Sequence, residues 1–373
     1  MKLAILLAAL ALAGPAAAAP PDAPADLVAD GYFEIADPVA DHVWVIRQAE
    51  PFHLQPIGNV TVIEQADGLV LVDAGGSAGG GRRLVGLVRG LSSKPVKAVI
   101  LTHWHGDHPQ GLSEILKAWP EARTIATAAT QRRLQTPATM NTPAILDPAR
   151  NAKMLENYAA VSQRARDNAA KAMTDAEREG WRKLERLFTW LGRDMDGTVT
   201  LAPKETFTDR LALDDAEVPV EARFLGRANT DGDAVVWLPR QRVLVSGDIV
   251  VSPVPYGFGS YPKDWIEVLG RLKAYDFAVM VPGHGKPMRE AAYLDRLIAL
   301  LTEVRRQVAP LAAQGLPQKE IEAKVDLSAQ SRGFTGGDPW REKWFFNYWT
   351  QPILASAAKE ARGEPIEQGL APS

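Results

Sequence analysis

A run of six residues, His103-Trp104-His105-Gly106-Asp107-His108, constrains this chain more than any other stretch. The chain has only six histidines, and three of them fall inside that run beside an aspartate. The run follows directly on residues 96–101, a mostly apolar segment that reads as a buried strand. Alternate residues at a strand end, followed by a tight turn at Gly106, aim several imidazoles and a carboxylate at one point. Zinc takes histidine nitrogen and carboxylate oxygen in small coordination numbers, and one such cluster can serve two ions. A lone histidine is more often a satisfied core or surface residue. Three at this spacing point to a metal site. Cysteine is absent from the 373 residues, which removes thiolate ligands and leaves His, Asp, Glu and Asn.

The N-terminus carries a separate signal. Met1-Lys2 precedes an apolar run over 3–13, then Gly14-Pro15 and an alanine tract. That order predicts a secretory signal peptide over 1–18, cut between Ala18 and Ala19, and a periplasmic or secreted mature protein. Residues 19–37, rich in Pro, Ala and Asp, read as a linker. No later segment is apolar enough to span a bilayer, so no membrane attachment is expected after cleavage. The net charge of -3 gives no reason to expect nucleic acid, and a small-molecule substrate is the expected partner. Without disulfides, an exported chain must rely on its core.

Short β-like runs at 43–46, 60–63 and 69–72 precede a glycine-rich turn at 75–81 and an amphipathic helix carrying Leu84, Leu87, Val88 and Leu91. The glycine turn lacks the GK[ST] ending and the GxGxxG spacing, so it reads as a connection and not as a phosphate cradle. Residues 127–195 read as a helical insertion with Trp181, Leu184, Leu187, Phe188 and Leu191 on one face. Strands return at 222–225, 234–238 and 243–245, with a helix over 263–274 and a strand over 277–281. This layered α/β domain spans 38–290, and a helical C-terminal extension with an aromatic cluster fills 291–373.

The stretch Thr102-His103-Trp104-His105-Gly106-Asp107-His108 resembles the signature of the metallo-β-lactamase superfamily. The likeness continues in order with Leu71-Val72-Asp73-Ala74-Gly75, Gly226-Arg227-Ala228-Asn229-Thr230-Asp231-Gly232-Asp233, Ser246-Gly247-Asp248 and Pro282-Gly283-His284-Gly285. The resemblance implies a four-layer αββα sandwich with metals at one sheet edge. It also implies one metal site on His103, His105 and the residue at 229, and a second on Asp107, His108 and His284. Asp248 would bridge the two, and Asp73 would hold the ligands in place.

Position 229, usually histidine in that family, is asparagine here. Its amide oxygen is a weaker zinc ligand than imidazole. The expectation is two zinc ions with the first site weakened; a water in place of Asn229, or a single ion on the second site, are the other readings. The implied chemistry is hydrolysis by metal-activated water, with Asp107 orienting the water. Lactamases with a cysteine ligand at the position of Asp248 generally carry a lysine three residues later, where this chain has Val251. That favours an ester, lactone, amide or phosphoester over a β-lactam. A true β-lactamase and a metal-binding module without catalysis are the alternatives. In the Pro-, Gly- and aromatic-rich segment 251–265, Tyr256, Phe258 and Tyr261 are the expected pocket walls, with a rigid surface loop as the plainer reading.

Overall fold

Seven strands assemble in chain order into the first sheet: β1 (Glu34–Ala40), β2 (Val43–Gln48), β3 (Val60–Gln65), β4 (Gly68–Val72), β5 (Val96–Ile100), β6 (Arg123–Thr127) and β7 (Glu205–Phe207). The computed structural model that shows this describes residues 19–49, 57–135 and 148–366. The signal-peptide reading of 1–18 lies outside those residues. Strands β1 to β4 form an antiparallel meander, and β4 to β7 run parallel. Parallel neighbours need crossovers, and helices supply them. After α1 (Ala25–Ala29), α2 (Ala78–Leu91) links β4 to β5 and α3 (Leu112–Ala118) links β5 to β6. Between β6 and β7 lie α4 (Ala128–Gln135), α5 (Pro148–Lys171) and α6 (Asp175–Met195).

The second sheet has five strands in the order β12-β11-β10-β9-β8. They are β8 (Arg210–Leu213), β9 (Val220–Phe224), β10 (Ala234–Leu238), β11 (Val243–Val251) and β12 (Val279–His284), with α7 (Pro262–Leu272) crossing between the parallel pair β11 and β12. The C-terminal region contains α8 (Ala292–Ala313), α9 (Gln318–Lys324), α10 (Ser328–Thr335), α11 (Pro339–Trp344), a π-helical turn (Phe345–Thr350) and α12 (Gln351–Arg362).

Period-2 side-chain alternation divides these strands between two apolar layers. Val70, Val72, Ala98 and Ile100 face Val236, Val243, Val245 and Val281 between the sheets. Their neighbours Leu69, Leu71, Val99 and Leu101 turn outward onto Leu84, Leu87, Val88, Leu112 and Ile115 of α2 and α3. On the far side Val235, Leu244 and Met280 meet Val268 and Leu269 of α7 and the helices beyond it. Helix, sheet, sheet, helix is the four-layer αββα sandwich anticipated from sequence. Each fully buried Val, Leu or Ile in these layers contributes roughly 1.5–3 kcal/mol relative to exposure.

One sequence-based boundary is corrected. Residues 19–37 are not a loose linker: Leu27, Tyr32 and Phe33 are buried against Leu184, Leu187 and Trp190 of α6, and β1 begins at Glu34. The expected helical C-terminal region packs against the second sheet. Leu294, Leu297, Leu301, Val304 and Val308 follow the helical repeat along α8 and share one apolar cluster with α7, β11 and α12. No helix among the described residues is long and apolar enough to cross a membrane.

Candidate metal centre

The ends of four strands converge at one edge of the sandwich. Asp73 follows β4, Thr102 and His103 follow β5, Asp248 lies within β11, and His284 ends β12. The turn after β5 is held by His108 N–H donating to His105 O at 3.0 Å and Ala74 N–H donating to His108 O at 2.8 Å. Two glycines make the close approach possible. A Cβ on Gly283 would lie 2.0 Å from Asp248 Oδ1, and one on Gly247, at φ +52°, would lie 2.8 Å from Thr102 Cβ. The Gly residues of the Ser-Gly-Asp and Pro-Gly-His motifs therefore make room for the Asp248 carboxylate and for Thr102 facing it.

His103, His105 and Asp248 form one group of potential ligands, and Asp107, His108 and His284 form another. His103 Nε2 lies 3.0 Å from His105 Nδ1 and 3.5 Å from Asp248 Oδ2. In the second group His284 Nε2 lies 2.9 Å from Asp107 Oδ2 and 3.3 Å from His108 Nε2. Donors about 2.0–2.2 Å from a tetrahedral ion sit roughly 3.3–3.6 Å apart, so both groups match a small divalent cation with little adjustment. Asp248 turns Oδ2 to the first group, while Oδ1 faces His108 and His284 at 3.2 and 3.4 Å. One carboxylate thus faces both groups, the position of a bridge.

Asn229 is fully buried, and its amide nitrogen donates to Tyr256 O at 2.8 Å. Its Oδ1 has no hydrogen-bond partner among the described residues. A buried carbonyl oxygen left without a donor costs about 1–3 kcal/mol, which a cation or water at that position would offset. Behind the ligands, Asp73 accepts from Thr102 N, Thr102 Oγ1 and His108 Nδ1 at 2.7, 2.8 and 2.8 Å. Thr102 Oγ1 is also 2.9 Å from His103 Nδ1.

Burial opposes every charge in this cluster, yet the carboxylates prevail. His108 is held well above the usual imidazole range: desolvation would lower it, but Asp248, Asp73 and Asp107 overcome that. The same contest, with Asp248 and Asp107 prevailing, raises His284 to about 9. Burial would raise Asp107, but His108 and His284 hold it at about 2. Asp248 lies well below its ordinary range because His284, His108 and His103 outweigh desolvation. His105, depressed to about 3 by burial and by His103, presents a neutral ring. The ionised Asp107 and Asp248 demand compensating positive charge. Protons on His108 and His284 supply it, and a divalent cation supplies it better.

His105, Asp107 and Asp248 open onto a cavity of about 310 Å³, a size suited to a small molecule. Tyr256 and Phe258 line it as expected from sequence. Tyr261 does not: its N–H donates to Ala228 O and its ring lies under the Arg227 guanidinium, 4.3 Å away, on the other side of the loop. The cavity walls also include Tyr32, Tyr158, Leu191, Met195 and Tyr348, none of which had been singled out as site residues. The C-terminal aromatic cluster was the one visible hint of Tyr348. Lys286 is exposed and is not among the lining residues.

Residues 55–145 and 146–284 match the family model described as the metallo-beta-lactamase superfamily. A linear primary-alkylsulfatase of Pseudomonas sp. (strain ATCC 19151) is 25% identical over 293 residues, 74% of this chain and 51% of the relative. A metallo-beta-lactamase type 2 of Bacillus sp. (strain 170) is 23% identical over 252 residues, 66% of this chain and 74% of the relative. The solved stereoselective inverting sec-alkylsulfatase from Pseudomonas sp. superposes with a TM-score of 0.59 at 18% identity, covering 87% of this chain and 50% of that one. The chain spans about half the length of the alkylsulfatases it matches.

Proposed function

Because the chain belongs to the metallo-beta-lactamase superfamily, we propose that it is an exported zinc-dependent hydrolase of small esters whose non-reacting part is apolar. One observation carries this reading: two ligand groups sharing Asp248 lie at the floor of a cavity with aromatic walls. In this reading the amide oxygen of Asn229, which has no hydrogen-bond partner among the described residues, is the remaining ligand of the first group and, being weaker than imidazole, makes that site the weaker of two. Zinc bound there lowers the pKa of water toward ~7 and polarises the scissile group.

The protein's own residues do the rest. Asp107 lines the cavity with its side chain 28% exposed, so it reaches both the ligand group and an entering water. Held at about 2, it is too weak a base to keep a proton at neutral pH. Its part is to orient the water by accepting a hydrogen bond and to pass the proton on to solvent. Asp73 and Thr102 fix the rings of His108 and His103 from behind.

The alkylsulfatase relative brings sulfate esters into the candidate class, beside carboxylic ester, lactone, amide and phosphoester. A β-lactam substrate has the second relative behind it. Its carboxylate would find no lysine or arginine among the described residues lining the cavity, and Val251 is buried in the strand. The test is a turnover screen of the zinc-loaded protein on primary alkyl sulfates, lactones, phosphodiesters and a chromogenic cephalosporin. We expect ester turnover that disappears on chelation and in Asp107→Ala. A chain that holds zinc yet turns over none of them is a binding module, and preferential cephalosporin turnover makes it a lactamase.

A further inference from the structure

Among the described residues that line the cavity, Tyr32 and Tyr348 lie outside the family-matched residues, which end at 284, and Tyr348 belongs to the wall it forms with Tyr256 and Phe258. We infer that Tyr348 is a specificity-determining residue: its ring closes that wall and sets the largest apolar group a substrate can place beside the ligand cluster. This rests on the hydrolase reading of the site.

Tyr348 sits on the π-helical turn Phe345–Thr350. Widened turns of this kind are rare and occur mostly where function requires an altered side-chain direction. Here Phe345 and Trp349 both point into the core, Trp349 against Trp265 at a ring separation of 5.7 Å. Tyr348, one position before Trp349, lines the cavity instead.

Its place is fixed from two sides. Gly257 N–H donates to Tyr348 O at 2.8 Å, and a Cβ on Gly257 would come within 3.0 Å of Ile353 Cβ. The loop bearing Tyr256 and Phe258 is therefore in near-backbone contact with the turn bearing Tyr348. The Tyr348 ring stands 5.3 Å from Tyr256 and 5.8 Å from Phe258, and Tyr256 in turn stands 5.2 Å from the ligand His284. On the other side Trp344 meets Tyr348 at 5.3 Å. Lys343 Nζ lies among the rings of Trp181, Trp340 and Trp344 at 4.6, 5.4 and 5.7 Å, which ties the turn to α6. That helix supplies Leu191 and Met195 to the same cavity. Asp194, which also lines the cavity, is engaged by both terminal nitrogens of Arg83 at 2.9 and 2.8 Å. The wall thus presents aromatic and aliphatic surface, suited to an alkyl or aryl group.

Alkanesulfonates of increasing chain length, which cannot be hydrolysed at the sulfonate, serve as calorimetric probes on the zinc-loaded full chain. Each methylene buried raises affinity roughly fourfold, and the gain stops where the wall is met. In Tyr348→Ala the limiting length moves out by several carbons, with about tenfold tighter binding of the first probe the wild type rejects. Short probes and zinc content stay unchanged. Tyr348→Phe keeps the wild-type limit, since the ring sets it. If Tyr348→Ala does not fold, Tyr348→Leu carries the same expectation. An unchanged limit, a uniform loss at all lengths, or a wild type that binds no alkanesulfonate overturns the assignment. Hydrolysis of the matching alkyl sulfates is measured in parallel: a shifted limit without hydrolysis by any variant keeps the wall and removes the hydrolase reading.

Discussion

Replacing Asp73 by asparagine tests how the ligands are held, because one carboxylate serves both groups. Thr102 Oγ1 has a single proton, which it gives to Asp73 Oδ2 at 2.8 Å. Its lone pair then accepts from His103 Nδ1–H at 2.9 Å, while His108 Nδ1–H donates to Asp73 directly at 2.8 Å. With Nδ1 so engaged, each ring would offer Nε2 to a cation, in each case the atom facing Asp248. The residue stands at φ +67°, a backbone conformation that aspartate tolerates better than most, and this swings both oxygens onto their donors. An asparagine there keeps the shape but must turn an NH2 toward either Thr102 N–H or the pair Thr102 Oγ1 and His108. Losing a hydrogen bond to a charged acceptor costs about 1.5–3 kcal/mol. Loss of a ligand-orienting partner weakens metal binding by about 10–100-fold, or ~1.4–2.7 kcal/mol, so the two figures agree. We expect Asp73→Asn to weaken both zinc sites by about that factor in competition against a chromophoric chelator. Thr102→Val should weaken only the site on His103, and Thr102→Ser neither. Wild-type affinity at both sites in a folded Asp73→Asn protein, checked by urea unfolding of the metal-free form, would refute the reasoning.

Gly283→Ala should both weaken zinc binding and lower the urea midpoint, because its methyl would stand 2.0 Å from Asp248 Oδ1 and 2.7–2.8 Å from backbone atoms of Gly247 and Asp248; a variant with wild-type zinc stoichiometry and midpoint would contradict this. Asn229→His should raise zinc affinity at the weaker site by about tenfold or more, at the cost of the hydrogen bond to Tyr256 O, and equal affinities before and after would remove Asn229 from the first site. Zinc must displace the protons on His108 and His284. Because His284 titrates at about 9 without metal, low pH favours the protonated, metal-free form. Apparent zinc affinity should therefore climb by about tenfold per pH unit for each proton displaced, with the His284 share of that slope lost above about pH 9, and a pH-independent affinity would contradict the charge balance described.

The candidate ligands were legible because most of them lie at strand ends in short, ordered motifs. His103, His105, Asp107 and His108 are neighbours in sequence, and Asp248 and His284 sit on adjacent parallel strands that any αββα sandwich brings beside them. The glycines at 247 and 283 were readable as motif letters, but their reason, contact distances near 2–3 Å, exists only in three dimensions. The cavity walls were less legible. Tyr256 and Phe258 follow Asp248 closely, whereas Tyr158 and Tyr348 reach the cavity only because α5 and the C-terminal turn dock over the sheet edge. Tyr261 was misplaced because aromatic content alone does not say which way a loop turns. Its N–H pairs with Ala228 O and sends the ring under Arg227. The Pro- and Ala-rich composition of 19–37 hid the two aromatic residues, Tyr32 and Phe33, whose burial anchors that segment.

Elemental analysis of the purified chain after zinc loading and gel filtration is the decisive measurement. Two zinc ions per chain are expected in the wild type, falling toward one in His284→Ala, which removes a ligand from the second group only. A folded wild-type chain that emerges without metal would contradict the convergence on which the site is built.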